Sequence, residues 1–281
     1  MDEPGKGLYG PTRMKALPPA RLGLWAYAAT GVALGARAAL STPPPLIPTL
    51  LGFGGYFALG TLGVFWPERG MYGSLLSRGP QRPEVALTFD DGPSPKTTPR
   101  VLEVLAKAGV AATFFVVGRK VQAHPELLRE LVRAGHQVEL HGFEHDRLFS
   151  LRGSARVADD IRRTQDVIQA AGAPRPNLFR PPIGFVSHLT VAGARKAGVT
   201  LVGCSARALD GLRRAAPDKV AERLLRALEP GALLAMHDAS EHDDYEPASL
   251  SALPRVLDAL RERSLRAVTL SSWVTAEALR A

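Results

Sequence analysis

Four short segments of this chain carry polar side chains whose types and spacing can do chemistry. Thr88-Phe-Asp-Asp-Gly-Pro93 sets two carboxylates side by side. Adjacent side chains diverge, so one carboxylate can bind a cation while its neighbour stays free to move protons. As a bare string, Asp, Gly and Pro also make an ordinary turn. His141-Gly-Phe-Glu-His145 places two imidazoles four residues apart, which converge on one cation if the segment is helical. Glu144 between them would then point elsewhere. Phe179-Arg-Pro-Pro-Ile-Gly184 offers a guanidinium on a stiff loop, either a surface turn or a fork holding a carboxylate through two parallel bonds. Leu233-Leu-Ala-Met-His-Asp238 ends in His237, suited to general-acid work or to a structural role. One carboxylate with two neutral imidazoles suits zinc, cobalt, nickel or iron, and composition does not choose among them. Such an ion polarises a carbonyl and lowers the pKa of bound water from about 15.7 to near 7. The set therefore points to hydrolysis.

These segments must be positioned by regular elements, and the pattern from about residue 84 supplies them. Apolar runs at 85–89, 112–117, 137–140, 200–204, 232–236 and 267–270 read as buried strands. Stretches at 99–108, 125–134, 154–171, 188–197, 217–228 and 250–263 read as helices, several opened by proline and closed by glycine. Regular alternation means a parallel sheet covered by helices. Some seven units without a Gly-x-Gly-x-x-Gly fingerprint favour a barrel over an open doubly wound sheet. Barrel chemistry belongs at the C-terminal ends of strands, and the polar segments fall there.

The rest of the chain is of another kind. The 281 residues carry a net charge of +8, which taken whole suggests nucleic acid or an anionic membrane. Residues 1–83 hold eight basic and three acidic residues, so five of those charges lie there and only three in the remainder. With no basic stripe in the remainder, nucleic-acid binding is not needed to explain the charge. Between Arg37 and Glu68 lie 30 uncharged residues, and Leu46 to Trp66 is long enough to cross a hydrocarbon core of about 30 Å. A second apolar stretch, Leu22 to Ala36, reaches spanning length by including Arg37. Ser41-Thr-Pro-Pro-Pro45 reads as the turn between them. The expected organisation is a polar basic leader (1–21), a hydrophobic membrane anchor of one or two helices (22–66), a linker (67–83) and a catalytic unit (84–281). The polar leader and long apolar run fit an integral anchor in the bacterial cytoplasmic membrane better than a cleaved signal peptide. If both segments span, the basic flanks put the catalytic unit in the cytoplasm; if only the second spans, they put it outside. One cysteine, Cys204, excludes a disulfide framework and any multi-cysteine zinc site.

Taken together and in order, the four segments resemble the polysaccharide deacetylase (NodB-homology) family, carbohydrate esterase family 4. The resemblance spans most of residues 84–240. It implies a deformed (β/α) barrel that removes acetyl groups from sugars with a divalent metal, zinc above the alternatives. By the same resemblance Asp91, His141 and His145 are the metal ligands and Asp90 the general base. Arg180 orients that base, and His237 is the general acid. Pro182, Ile183 and Gly184 form a substrate-binding turn, with the Ile183 N–H as oxyanion donor. Three positions depart from the family pattern. Gly142 stands where Ser or Thr is common, removing a hydrogen bond from the metal loop. Ile183 stands where Tyr is frequent. Arg207 stands where the first Asp of an Asp-x-x-Asp-Trp motif is common, while Asp210 retains the second Asp, the partner that tunes the catalytic His. His242, Asp243 and Asp244 read as a solvated turn. The expected substrate is an N-acetylated glycan, with a lipid-linked amino sugar, deacetylated or deformylated at the membrane, as the rival. A silent sugar-binding module, suggested by Arg207, is the non-enzymatic alternative.

Overall fold

The computed structural model describes residues 18–40 and 46–274. The turn expected at 41–45 and most of the basic leader lie outside the described residues. Helix α1 (Pro19–Leu40) and helix α2 (Leu46–Phe65) pack side by side as an antiparallel hairpin. Tyr27 lies over Tyr56, and the Tyr27 hydroxyl occupies the space a side chain at Gly55 would need. Arg21, near the start of α1, donates to the carbonyls of Gly70 (2.9 Å) and Met71 (3.2 Å), just beyond the end of α2. The open end of the hairpin therefore faces the rest of the molecule. Among the described residues only α2 is long and apolar enough to cross a membrane. The second apolar stretch forms its helix but keeps Arg21 and Arg37 within it.

The remainder is one curled parallel sheet with helices on its outside. Its strands are β1 (Glu84–Asp90), β2 (Thr113–Val116), β3 (Gln137–Leu140), β4 (Leu178–Phe179), β5 (Thr200–Leu201), β6 (Ala206–Arg207), β7 (Leu233–His237) and β8 (Arg266–Val268). They run in the order β5-β4-β3-β2-β1-β7-β6, with β8 on the first half of β1. Between or after them lie α3 (Thr98–Ala108), α4 (Gly118–Ala123), α5 (Pro125–Arg133), α6 (Ser154–Ala170), α7 (His188–Ala197), α8 (Pro217–Arg226) and α9 (Ser249–Glu262). Strands β5 and β6 end the order and do not pair with each other. The expected barrel is thus a half-barrel. Two two-residue strands offer too few ladder groups to close it.

Residues 67–83 run along that open edge. Leu76 bridges Val202 beside β5, and the Gly79 N–H donates to the Gly231 carbonyl before β7 at 2.9 Å. Gly79 also lies flat on the Trp273 indole, which leaves no room there for a Cβ. Trp273 donates to Glu84 at 3.0 Å and plugs the lower end of the sheet.

Side-chain alternation along each strand decides what meets what. Val85, Leu87 and Phe89 of β1 join Phe114, Val116, Leu140, Phe179, Leu234 and Met236 in the core beneath the helices. Their neighbours point into the concavity, where Ala86, Phe115, Leu178, Leu233 and Ala235 form a smaller cluster. Thr88 and Asp90 share that inward parity on β1, and His237 shares it on β7. The two-residue strands β4 and β6 and the short helix α4 carry no period that the sequence could display. The run at 200–204 shortens to a two-residue strand, with Val202 and Gly203 pairing with Leu76 instead.

Candidate active site

The strand register puts Asp90 opposite His237 on β7 and opposite Phe115 on β2. His141 directly follows β3 and Arg180 directly follows β4. All four polar segments therefore meet at the C-terminal ends of neighbouring parallel strands. Together they line a cleft of about 440 Å³.

Arg180 is the central brace. Its guanidinium donates to Asp90 (2.6 Å) and to the Thr88 hydroxyl (2.8 Å), and its other terminal nitrogen donates to the Gly203 carbonyl (2.9 Å). The face of the guanidinium rests 4.1 Å from the Phe115 ring centroid. Both members of the Arg180–Asp90 pair are buried, so each needs the other: an unpaired buried charge is strongly destabilising.

Asp91 turns the other way. Its φ of +74° swings the carboxylate away from Asp90. Asp91 Oδ1 lies 3.3 Å from His141 Nε2 and 3.1 Å from His145 Nε2. The segment 141–145 is not helical, contrary to the condition set for its two histidines. Left-handed backbone at Gly142 (φ +84°) and His145 (φ +56°) folds the loop so that both rings face Asp91. One ligand atom from each of the three residues lies within 4.8 Å of the others. The His141 Nδ1 faces the Arg180 carbonyl at 2.8 Å; a carbonyl only accepts, so the proton sits on Nδ1 and Nε2 keeps its lone pair for a cation. Asp91 Oδ1 is buried with no hydrogen-bond donor of good geometry. Convergent lone pairs with nothing to satisfy them fit a divalent ion. Burial alone would raise the Asp91 carboxyl, but the imidazoles of His141 and His145 and the nearby His237 hold it well below the usual carboxylate range.

On the other side of the cleft stands His237. Its Nδ1 lies 2.7 Å from Asp210 Oδ1, and its backbone N–H donates to Asp210 Oδ2 at 2.9 Å. Asp210 is fully buried. Burial works against the imidazolium, but the Asp210 carboxylate outweighs it, aided by Asp91 and Asp90, and pushes His237 up to about 10. Its Nε2 is 4.0 Å from Asp91 Oδ2, so the ring's free end faces the three-ligand centre.

Of the turn Pro182–Gly184, Ile183 (φ +52°) and Gly184 line the same cleft, while Pro182 is buried behind them and Pro181 lines it instead. Among the described residues the Ile183 N–H has no hydrogen-bond acceptor. Asp91, His145 and Ile183 thus all sit in left-handed backbone, which costs about 1–3 kcal/mol each for such residues. Strain gathered at one site is compensated by the surrounding fold.

Several residues of the site give no sequence signal. Asp160 on α6 accepts the Phe143 N–H at 2.9 Å and so anchors the loop whose Gly142 cannot. Glu241 lies 3.6 Å from His145 Nδ1 and pairs with Arg147. It immediately precedes the expected solvated turn, whose His242 is indeed exposed but lines the cleft with Asp244. Glu68 pairs at 3.3 Å with Arg207, the residue noted above as a departure from the family pattern, which packs against Gly184, where a Cβ would lie 2.8 Å from the guanidinium. All are contacts between residues far apart in the chain.

A curled parallel sheet with a buried Asp-His-His cluster beside an Arg-braced carboxylate defines a hydrolase centre able to take a metal. The polysaccharide deacetylase pattern matches residues 77–202. A chitooligosaccharide deacetylase of Bradyrhizobium sp. (strain ANU 289) is 39% identical over 156 residues, covering 55% of this chain and 70% of that protein. Among solved structures, a family 4 acetyl xylan esterase from Clostridium thermocellum in complex with a cobalt ion superposes with a TM-score of 0.62 at 28% identity, covering 67% of this chain and 89% of that one. A wild-type CE4 family pseudoenzyme from Bacillus anthracis superposes with a TM-score of 0.63 at 26% identity, covering 70% and 67%. The chain belongs to the polysaccharide deacetylase family and is a hydrolase of that family. Since the fold also serves a pseudoenzyme, the chemistry has to be argued from the residues themselves.

Proposed function

We propose that this protein hydrolyses the N-acetyl group of an amino sugar in a glycan, releasing acetate and the free amine. The observation that carries this reading is the pairing of Asp90 and His237 across one strand register, one on each side of the Asp91–His141–His145 centre. Those three residues would hold a divalent ion, with zinc the first choice for the donor set and cobalt, nickel or iron sharing it. When bound, that ion supplies Lewis-acid polarisation and a water acidic enough to attack at neutral pH.

The protein's own groups do the rest. Asp90, oriented by Arg180 at 2.6 Å, accepts the proton of the attacking water. The Ile183 N–H donates to the carbonyl oxygen as it gains charge, and preorganised donors of this kind contribute several kcal/mol. His237, protonated under the influence of Asp210, delivers a proton to the departing amine. Each proton transfer contributes roughly 10²–10⁴-fold. Pro182 and Gly184 shape the turn against which the sugar rests.

The apolar helix α2 supports an integral anchor in the bacterial cytoplasmic membrane, with the catalytic unit beginning near residue 84. If α1 spans together with α2, the basic residues at the open end of their hairpin put the catalytic unit on the cytoplasmic face; if α2 spans alone, the same rule puts it outside.

Replacing Asp90 with Asn tests the assignment. Turnover of an acetylated chitooligosaccharide should vanish while the protein still binds zinc in an equilibrium titration. Full activity in Asp90→Asn would overturn it.

A further inference from the structure

Outside the N-terminal hairpin and the adjoining Trp66, the exposed large apolar side chains of the described residues are Leu148, Leu151, Ile183, Leu209 and Leu212. Single exposed apolar residues are normal on any protein surface. Here, however, all five stand on loops that follow the C-terminal ends of strands: two after β3, one after β4 and two after β6. Because the sheet is parallel, these loops share one end of the molecule, the end that opens into the catalytic cleft. Ile183, Leu209 and Leu212 line the cleft itself. The arginines among them are spent on neighbouring acids, Arg147 on Glu241, Arg152 on Asp146 and Arg213 on Asp244. The rim thus sets these apolar side chains among ion pairs, with the exposed charges of Glu144 and Arg214 beside them.

Helix α2 leaves the catalytic unit at this same end. The Phe65 ring packs edge-on against Phe185 at 4.6 Å, and the Val186 N–H reaches the Val64 carbonyl. The turn holding Ile183 ends at the residue before Phe185. Farther from this junction, Leu46, Ile47, Leu50, Leu51, Phe53 and Phe57 are all exposed. Phe65, Trp66 and Glu68 also line a second cavity with Ser205, Cys204 and Arg207, and the last two line the catalytic cleft as well. The exit of the apolar helix and the catalytic centre are thus neighbours, separated by little more than the Arg207 side chain.

We propose that the cleft face rests on the bilayer that α2 enters, and that the substrate is an N-acetylated amino sugar carried on a membrane lipid. This rests on the deacetylase reading above and on α2 as anchor. The rim extends the apolar surface of α2 sideways. Seating it on lipid buries leucines that water would otherwise face, which is favourable in proportion to the apolar area removed. It also brings the cleft mouth to the depth at which a lipid-borne sugar is presented.

The test uses the full chain reconstituted in phosphatidylcholine nanodiscs. Nitroxide labels go on single cysteines at Leu151→Cys and Leu212→Cys. A third, Lys107→Cys, marks the opposite end of the sheet, and the native Cys204 is buried. Labels at 151 and 212 should be reached by oxygen and shielded from a water-soluble nickel chelate, with the reverse at 107. The second arm compares a soluble chitooligosaccharide with an N-acetylglucosaminyl lipid phosphate in the same discs. The lipid-borne sugar should be the better substrate. The Leu148→Glu/Leu151→Glu double variant should lower its turnover about tenfold or more, with the soluble rate unchanged. Equal water exposure at all three labels overturns the docked face, as does a lipid-borne rate untouched by the double variant. Faster turnover of the soluble sugar overturns the lipid-borne substrate. If the unaltered protein turns over neither sugar, the deacetylase reading fails instead, and the label pattern still decides the docking.

Discussion

Asp210 grips His237 twice, through the imidazole at 2.7 Å and through the backbone N–H of the same residue at 2.9 Å. One carboxylate thereby fixes the ring's tautomer, its orientation and the end of strand β7. Replacing Asp210 with Asn keeps the shape and removes the charge. We expect kcat to fall by about 10²–10⁴ with KM little altered. His237, no longer pushed up to about 10, should lose its proton earlier. The alkaline limb of the kcat/KM profile should then move to lower pH. An unmoved limb would dissociate Asp210 from the acid role of His237.

The three-ligand centre predicts a thermal signature independent of turnover. An ion that binds only the folded state stabilises it by about 2.7 kcal/mol at a hundred times its Kd. For a chain of this size that is several degrees, at roughly 2–4 °C per kcal/mol. Adding zinc to chelator-treated protein should raise Tm by this amount, and Asp91→Ala should erase the rise. Equal shifts in both proteins would place the ion elsewhere.

Gly92 follows the paired aspartates, and a Cβ there would lie 2.1 Å from Asp238 Oδ2. Asp238 cannot retreat freely, because the Thr98 hydroxyl donates to it at 2.5 Å within the core. Gly92→Ala should cost about 1–3 kcal/mol of stability, in the range of other overpacked cores. Urea unfolding reads this directly, and a variant as stable as the parent would show that the clash is relieved at no cost.

Glu139 on β3 is buried, accepts the N–H groups of Asn177 and Leu178, and is pushed up to about 7 by burial, which outweighs those bonds. A carboxyl whose folded pKa exceeds its unfolded one keeps its proton longer in the folded state. Its contribution is fully present below the unfolded value of 4.5 and is lost as pH rises through about 7. The full loss corresponds to about 3 kcal/mol at 1.36 kcal/mol per unit. Glu139→Gln should flatten the fall in urea-unfolding free energy between pH 5 and pH 8. Asp238, raised to about 7, and Asp160, raised to about 6, both chiefly by burial, add slopes of the same sign. An unchanged slope in Glu139→Gln would assign the titration to them.

Much of this architecture is legible in residue order, because long strands and helices advertise their period. The helix at 188–197 and the strand at 137–140 coincide with their sequence-based bounds. Asp90, His141, Arg180 and His237 are legible for a related reason: each ends or immediately follows a strand, and a parallel sheet gathers such ends. What is hidden is short or long-range. Two-residue strands have no period, so the opening between β5 and β6 could not be seen. The bend that brings His141 and His145 together comes from left-handed backbone rather than helical spacing. Asp160, Glu241 and Glu68 reach the site across 17, 96 and 139 residues of chain, which no local pattern encodes.

The stretch between α2 and β1 does more than join two parts. It starts at the catalytic rim, fills the sheet's unpaired edge through Leu76, and reaches the lower end at Gly79 before the first strand begins. A protease cutting between Gly79 and the start of β1 would therefore not liberate an intact catalytic unit. It would strip a bridge from β5 and uncover the Trp273 plug. The last few residues before β1 are thus part of the catalytic unit's own edge rather than a free tether.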